Sequence, residues 1–331
     1  MRIGITGTNF VSDFFMRASS LVEQIEVTAV TSGHYENALA FQSKYGIVNV
    51  YKNLEEMLDS GTVDAVYLGV PNSMHAPLTL QCLRHHVPVI TEKPFAASLK
   101  EATQMIRTAE EENTYVHDAI VPLYTDHFAL LKKSLGKVGK IHRAVFSFTK
   151  YSSRYDAYLA GKNPTTFRAD LCNGSWMDLG VYCLSDCVGL FGSPKKIQAS
   201  GILLDTGADC QGSAIFTYDG FDAVLLHSKV TDTKIMSEIE GEDGILQFDV
   251  PSLIKTIWFT DRHTGKTEQL CEPDDTSFAC QLRDFVHSSE TGLKESALVP
   301  HALTLEIAGI LEQCRKQSGV VYPCDSREEE L

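Results

Sequence analysis

Two short polar segments, each directly after a run of apolar residues, contain side chains suited to chemistry. Residues 71–75 read Pro-Asn-Ser-Met-His and follow the apolar run 65–70, while residues 92–94 read Glu-Lys-Pro and follow the run 87–90. A charged group at the end of a buried strand loses hydration energy unless it is paired or used. The glutamate and the lysine therefore either serve proton or ligand chemistry or form a solvated strand end that the proline terminates.

The surrounding elements predict how these two segments meet. The stretch 76–86 has Leu78, Cys82 and Leu83 at helical spacing, which is typical of a crossover helix joining two parallel strands. Ligands of doubly wound sheets bind beyond the carboxyl ends of the strands, so the residues after each apolar run become candidates for a site. The candidates are Val70, which ends the first run, and the residues Pro71, Asn72, His75, Glu92 and Lys93 that follow the two runs.

The order Pro-Asn-x-x-His, helix, apolar strand, Glu-Lys-Pro resembles the nicotinamide-dependent oxidoreductases of the glucose-fructose oxidoreductase/inositol dehydrogenase family (Gfo/Idh/MocA). The resemblance implies that Lys93 lies beside the nicotinamide and the substrate hydroxyl. Asn72 would orient the ribose or the nicotinamide carboxamide. His75 either supports the same edge or is a helix N-terminal histidine bonded to its own backbone. By the same resemblance Asp118, after a strand at 114–117, would lie under the nicotinamide.

The N-terminus has the position of a dinucleotide fingerprint but only part of its sequence. A strand at 2–6 leads into a helix at about 12–22, and only the first glycine of Gly-x-Gly-x-x-Gly is kept, because Asn9 and Ser12 replace the others. Asparagine tolerates left-handed backbone and serine caps helices, so both changes are mild. We expect the pyrophosphate to lie on this loop, the alternative being a strand-turn-helix without a ligand. The expected contacts are Gly7, Thr8, Asn9, Phe10 and Val11.

The second strand, 26–31, ends in Ser32, Gly33 and His34, where the choice between NAD and NADP is usually made. An acidic residue there would bind the ribose hydroxyls of NAD, and an arginine would bind the 2′-phosphate of NADP. Neither is present. Because no carboxylate repels a 2′-phosphate and Ser32 and His34 can hydrogen-bond to it, we favour NADP slightly over NAD. The alternative for His34 is an ordinary loop residue.

A second motif, at 173–182, reads Asn-Gly-Ser-Trp-Met-Asp-Leu-Gly-Val-Tyr and predicts a helix with Asp178 and Tyr182 on one face. It resembles the family's Asp-x-Gly-x-His, with tyrosine in place of histidine, as in the branch of dimeric dihydrodiol dehydrogenases and NADP-linked xylose dehydrogenases. The alternative is a helix that packs Leu179 and buries the tyrosine. Arg168, just before it, either binds a substrate hydroxyl or pairs with a carboxylate.

This resemblance implies hydride transfer between a nicotinamide and a carbinol or carbonyl carbon of a sugar, polyol or diol. A tyrosine hydroxyl, with an ordinary pKa of about 10, exchanges the substrate proton more readily beside an ammonium group. We expect Tyr182 and Lys93 to act as this pair and Asp178 to hold a second hydroxyl. The alternative function is a non-catalytic sensor or regulatory protein that binds a nicotinamide nucleotide. The presence of both Lys93 and Tyr182 argues against it.

The predicted fold class is α/β with two domains. Residues 1–119 are expected to form a Rossmann domain with a doubly wound parallel sheet, and residues 120–331 an α+β domain for substrate binding and oligomerisation. Long strands such as 141–150, with turn sequences between 197 and 259, predict a large, mostly antiparallel open sheet. Its uncovered face predicts a homodimer or homotetramer.

Composition limits the partners. The formal net charge is -14 and no block of basic residues occurs, so we expect neither nucleic acid nor an anionic membrane to bind. No apolar run approaches a membrane span and the start of the chain lacks a signal-peptide pattern, so we expect a cytoplasmic protein. The nine cysteines are odd in number and include no Cys-x-x-Cys. We interpret them as reduced thiols and expect no metal site.

Overall fold

The computed structural model describes residues 1–329 of the chain. It divides into two compact units. The first comprises Met1–Ala119 and Phe278–Leu305, and the second comprises Ile120–Ser277 and the chain from Glu306 onward. The helices are α1 (Phe10–Ser19), α2 (Tyr35–Tyr45), α3 (Leu54–Asp59), α4 (His75–Arg84), α5 (Leu99–Glu111), α6 (Asp126–Ser134), α7 (Tyr155–Leu159), α8 (Val181–Phe191), α9 (Cys280–Glu290) and α10 (His301–Gln317).

The first unit is built on a six-stranded sheet. Its strands are β1 (Arg2–Thr6), β2 (Glu26–Thr31), β3 (Asn49–Tyr51), β4 (Ala65–Leu68), β5 (Val89–Glu92) and β6 (Val116–Ala119). Neighbouring strands are parallel throughout and follow the order β3-β2-β1-β4-β5-β6. This is the order of a dinucleotide-binding Rossmann sheet, so the predicted fold of this region is confirmed.

Local sequence signals explain where the helices of this unit begin and end. The Ser98 hydroxyl accepts a hydrogen bond from the N–H of Glu101 at 3.2 Å and caps α5. Gly46 ends α2 with a left-handed φ of 70°, a conformation that costs glycine little. The strand β5 begins and ends two residues later than the apolar run predicted. Glu92 is therefore its last residue rather than the loop residue that follows it.

A late segment of the chain completes the first unit. Helix α9 contributes Leu282, Phe285 and Val286 to the core that contains Ile3 and Ile5 of β1. The expected division at residue 119 did not include this return. It is explained by the apolar face of α9, which is buried in the same core as the parallel sheet.

The second unit contains an eight-stranded sheet. Its strands are β7 (Ile141–Thr149), β8 (Lys196–Leu203), β9 (Asp209–Thr217), β10 (Asp222–Ser228), β11 (Ser237–Gly241), β12 (Gly244–Phe248), β13 (Ile257–Asp261) and β14 (Thr267–Gln269). They follow the order β14-β13-β12-β11-β7-β10-β9-β8. Only β7 and β10 pair in parallel, so the predicted large, mostly antiparallel sheet is confirmed.

The two faces of this sheet differ. Ala144, Phe146 and Leu225 are fully buried on the face against α8, where Phe146 contacts Phe191 edge to face. The alternate residues point the other way because successive side chains of a strand alternate between faces. Among them Ile215 of β9 is 44% exposed. The opposite face is therefore open and partly apolar.

None of the helices formed by residues 1–329 combines the length and apolar character needed to cross a bilayer. No disulfide joins any of the nine cysteines, which all lie within the described part of the chain. Burial raises the pKa of several of these thiols, including Cys82, Cys183 and Cys187.

Candidate active site

Gly7 follows β1 in a conformation that requires glycine. Its φ is 98°, and a Cβ atom at this position would lie 2.1 Å from the carbonyl oxygen of Gly69. The hydroxyl of Ser12 donates to the Gly7 carbonyl at 2.9 Å, and Ser12 is fully buried. The third position of the fingerprint is thus filled by a serine that bonds back to the first glycine.

Asn9 replaces the second glycine of the fingerprint by acting as a cap. Its Oδ1 accepts from the N–H of Val11 and its Nδ2 donates to the carbonyl of Gly69, both at 2.9 Å. Asn9 does not use the left-handed conformation that asparagine tolerates, because its φ is −87°. Asn9 instead joins the turn after β1 to the turn after β4.

The other predicted cofactor contacts lie at the carboxyl ends of β1 and β2. The hydroxyls of Thr8 and Ser32 are 3.2 Å apart, and a Cβ atom on Gly33 would meet nothing within 4 Å. His34 is exposed at the start of α2, and Phe10 is the exposed first residue of α1. A helix N-terminus with hydroxyl and imidazole groups nearby has the donors that bind nucleotide phosphates, so this set fits a dinucleotide.

His75 ties together the two segments that follow β4 and β5. Its ring is buried, with Nδ1 2.8 Å from the Pro94 carbonyl oxygen and Nε2 3.1 Å from the Val70 carbonyl oxygen. Pro71 and Asn72 lie between these anchors, and Asn72 opens a short 3₁₀ turn. The structure therefore places the buried His75 ring between the two segments, with one ring nitrogen close to a backbone carbonyl of each.

The charge state of His75 follows from this environment. Burial lowers its pKa to about 4, against the two carbonyl contacts, which raise it, while the positive charge of Lys93 lowers it further. The ring is neutral near pH 7 and has one N–H. We assign that hydrogen to Nδ1, since its contact with Pro94 is the shorter.

Glu92 and Lys93 are half-buried at the carboxyl end of β5. The hydroxyl of Tyr67 on β4 donates to Glu92 Oε1 at 2.7 Å, and the backbone N–H of Lys93 lies 3.2 Å from Glu92 Oε2. Tyr67 is held in turn by stacking on Phe15 of α1, with ring centroids 4.0 Å apart. The peptide bond between Lys93 and Pro94 is cis.

Asp118 is buried near the end of β6. Its Oδ2 accepts a hydrogen bond from the Thr304 hydroxyl at 3.2 Å, so α10 contributes to its environment. Its neighbour His117 is buried as well, and burial lowers the pKa of His117 to about 3.

In the second unit the motif at 173–182 forms a π-turn, Trp176–Gly180, that leads into α8. The N–H of Val181 bonds to the carbonyl of Trp176, five residues earlier. Wide turns of this kind occur frequently at functional sites. Asp178 lies within the turn, while Tyr182 is the second residue of α8, half-buried with its ring edge to face with Phe148 of β7.

Two buried groups fix the start of the π-turn. The Asp209 carboxylate accepts from the N–H of Trp176 at 2.7 Å, and burial raises its pKa to about 7 against this hydrogen bond. His227 of β10 lies 2.7 Å from the Ser175 hydroxyl, with its ring centroid 4.0 Å from that of Trp176. Burial lowers the pKa of His227 to about 3, so its imidazole is neutral at physiological pH.

Two charged candidates of the second unit have partners of opposite charge. Lys229, directly after β10, donates to Asp178 Oδ2, and the lysine side chain is 6% exposed while that of Asp178 is 40% exposed. Arg168 forms a surface ion pair with Asp170, with Nε 3.0 Å from Oδ1. Pairing with a carboxylate was the second alternative for Arg168.

Sequence reasoning missed Lys229, Asp209, His227 and Tyr67. A signal for Lys229 was present, because a lysine directly after an apolar strand is the pattern that singled out Lys93. Tyr67, Asp209 and His227 lie inside strands, where the sequence gives no indication of the partner that each side chain reaches.

One surface group among the described residues has ligand atoms of the type that bind metal ions. Glu55, Asp59 and His85 bring one such atom each to within 4.8 Å of one another. The two ring nitrogens of His85 lie 3.4 Å from Glu55 and 3.6 Å from Asp59, which are ordinary ion-pair contacts when the histidine is protonated.

Two family models match the chain. The model of an oxidoreductase family with an NAD-binding Rossmann fold matches residues 1–119, and the model of the GFO/IDH/MocA C-terminal domain matches residues 134–247.

Several known proteins are similar to this chain over almost its whole length. The scyllo-inositol 2-dehydrogenase (NADP(+)) IolU of Bacillus subtilis (strain 168) is 36% identical, covering 98% of this chain and 99% of its own. The trans-1,2-dihydrobenzene-1,2-diol dehydrogenase of Xenopus tropicalis is 28% identical, covering 97% of this chain and 98% of its own. Among solved structures, a variant of KijD10, a 3-ketoreductase from Actinomadura kijaniata in complex with TDP-benzene and NADP, superposes with a TM-score of 0.86. Its sequence is 22% identical, and the match covers 97% of this chain and 99% of that chain.

His75 provides a test of the anchored segments. Its pKa is about 4 in the fold against an ordinary value of 6.5, so the unfolded chain binds more protons between these values. The stabilisation is present above pH 6.5 and is lost as the pH falls towards 4. We expect the free energy of unfolding of His75→Gln, measured by urea denaturation from pH 4 to 7, to fall less steeply on acidification than that of the wild type.

His287→Gln is the matched control, because His287 is an exposed histidine of the same unit. Its unfolding free energy should follow the wild-type pH dependence. A wild-type slope in His75→Gln would show that the buried ring is not the group that titrates.

Proposed function

The chain belongs to the GFO/IDH/MocA oxidoreductase family, and from this membership we propose that Lys93 and Tyr182 handle the hydroxyl proton of its substrate. The protein is an NAD(P)-dependent oxidoreductase that acts on CH–OH groups of sugar, polyol or diol substrates. The observation that carries the proposed role of Lys93 is its position after β5, at the same edge of the parallel sheet as the glycine turn after β1.

The proton transfer is assigned to the side chains as follows. The bound nicotinamide supplies the hydride acceptor in oxidation and the hydride donor in reduction. In oxidation Tyr182 accepts the alcohol proton, and in reduction it returns the proton to the carbonyl oxygen. Lys93 orients the same oxygen, and its positive charge favours the tyrosinate. Asp178 accepts a hydrogen bond from a second hydroxyl, which selects substrates that carry neighbouring hydroxyl groups.

The remaining predicted contacts keep their proposed roles. Asn72 would orient the ribose or the carboxamide, and Asp118 would support the nicotinamide. His75 supports that edge indirectly, through the Val70 and Pro94 carbonyls. Arg168 can reach a substrate hydroxyl only by leaving or sharing Asp170, since the two form an ion pair.

We expect Lys93→Met to lower turnover of scyllo-inositol with NADP⁺ by at least about a hundredfold, because the oxygen loses its orienting charge. The affinity for NADPH should remain unchanged. Steady-state rates and fluorescence titration measure the two quantities. Lys52→Met, which removes an exposed lysine of the same unit, is the control and should behave as wild type. Full activity of Lys93→Met would refute the assigned role.

NADP is the proposed cofactor in preference to NAD. Ser32 and His34 follow β2 where a carboxylate would repel a 2′-phosphate, and the Bacillus subtilis relative is named for NADP(+). We expect fluorescence titration to show tighter binding of NADPH than of NADH. Ser32→Asp should weaken NADPH binding about tenfold or more, the effect of losing a hydrogen bond to a charged group.

Ser43→Asp, on the exposed side of α2, adds the same charge elsewhere in the unit and should leave both affinities unchanged. Equal affinities of the wild type for the two nucleotides would contradict the preference. Binding of neither would contradict the placement of the pyrophosphate on residues 7–11.

We propose a homodimer or homotetramer formed through the open face of the second sheet. On that face Ile215 of β9 lies beside Val224 of β10, and Val224 lies beside Val145 of β7. A row of apolar side chains across neighbouring strands is a suitable surface for pairing with a second copy.

The net charge of -14 and the nine thiols without disulfides support a cytoplasmic location without nucleic-acid or membrane partners.

Ile215→Asp tests the oligomer. A carboxylate at this position would have to be buried on association, so we expect a smaller molar mass by light scattering coupled to size-exclusion chromatography. Ile235→Asp is the control, because Ile235 is 58% exposed in the loop between β10 and β11. A monomeric wild type, or an unchanged mass of Ile215→Asp, would contradict the proposed interface.

A further inference from the structure

Lys229 is an unusual lysine because its charged end is enclosed. The residue follows β10, and its side chain is 6% exposed. Its backbone is held on both sides: the N–H donates to the Cys210 carbonyl and the carbonyl accepts from the N–H of Ser152, each at 2.8 Å. These bonds continue the pairing of β10 with β9 and with β7 by one step, so the side chain starts from a fixed point.

The ammonium group of Lys229 donates to Asp178 Oδ2, and the two side chains differ in exposure. The cation is covered, while the carboxylate is 40% exposed. A buried ammonium requires a paired anion, so removing either partner leaves a poorly compensated charge. The covered lysine thus contacts the Asp178 carboxylate from the protein interior, while the carboxylate itself remains partly exposed at the surface.

The same lysine influences the anchor of the π-turn. Its positive charge lowers the pKa of Asp209, opposing the larger effect of burial. Asp209 bonds the first residue of the turn, Trp176, and Lys229 bonds Asp178 two residues later. The short segment that presents Asp178 is therefore fixed at two points by oppositely charged groups of neighbouring strands.

We propose that Lys229 is a positioning residue that holds the Asp178 carboxylate in the orientation that accepts the second hydroxyl of a vicinal diol or polyol. The inference rests on the proposed function, in which Asp178 holds that hydroxyl. Lys229 acts through Asp178 and does not touch the substrate. A substrate with a single hydroxyl therefore gains nothing from Lys229.

The decisive experiment compares Lys229→Met, Lys229→Arg and Lys195→Met with scyllo-inositol as substrate and NADP⁺ as cofactor. Lys229→Met should raise KM about tenfold or more, the factor for a lost charge-assisted hydrogen bond, with a smaller change in kcat and unchanged NADPH affinity. Lys229→Arg, which keeps the charge, should recover most of the loss. Lys195→Met removes a lysine whose ion pair with Asp219 is exposed, and it should leave KM unchanged.

A second readout does not depend on turnover. Thermal unfolding of Lys229→Met, Asp178→Asn and the double variant measures the coupling of the pair, and the double variant should lose less Tm than the sum of the single losses. Additive losses, or a wild-type KM in Lys229→Met, overturn the inference. If the wild type oxidises no polyol or diol, the proposed function fails, and the role of Lys229 in substrate orientation fails with it even where the coupling is present.

Discussion

A neutral, buried imidazole between two carbonyl oxygens is the contact on which the nucleotide unit depends. The ring donates from Nδ1 to the Pro94 carbonyl and its Nε2 lies 3.1 Å from the Val70 carbonyl oxygen, so it packs between the segments that contain Asn72 and Lys93. The ring forms this link without introducing a buried charge, because burial and the nearby Lys93 both favour its neutral form. The neutral His75 ring therefore places no positive charge next to the ammonium group of Lys93.

In the second unit, charged side chains rather than a neutral ring hold the segment that carries a candidate residue. Asp178 is presented on a π-turn whose start bonds to a buried carboxylate and whose middle bonds to a covered lysine. Small residues make this possible. A Cβ atom on Gly174 would lie 2.1 Å from Asp209, and one on Gly180 would lie 2.5 Å from the Trp176 ring. Close approach of backbone to charged and aromatic groups thus determines the glycine positions of the motif.

Local patterns predicted much of this arrangement, and distant partners account for the rest. The apolar runs with their polar ends were sufficient to place Lys93 and to predict the parallel sheet. The role of Asn9 depends on the carbonyl of Gly69, sixty residues away, and so could not be read from the loop. The pairing of Asp178 with Lys229 spans fifty-one residues. A periodic pattern reports which face of an element is buried, but not which element buries it.

The return of α9 to the first unit has a consequence for the order of folding. The apolar core of the parallel sheet is complete only when the chain as far as Glu290 is available, because Leu282 and Phe285 belong to it. During synthesis the segment 1–119 therefore leaves the ribosome with part of its core exposed, and it must wait for the entire sheet of the second unit to be made. Contacts between residues so far apart in sequence slow folding, so we expect the core of the first unit to be completed late in folding.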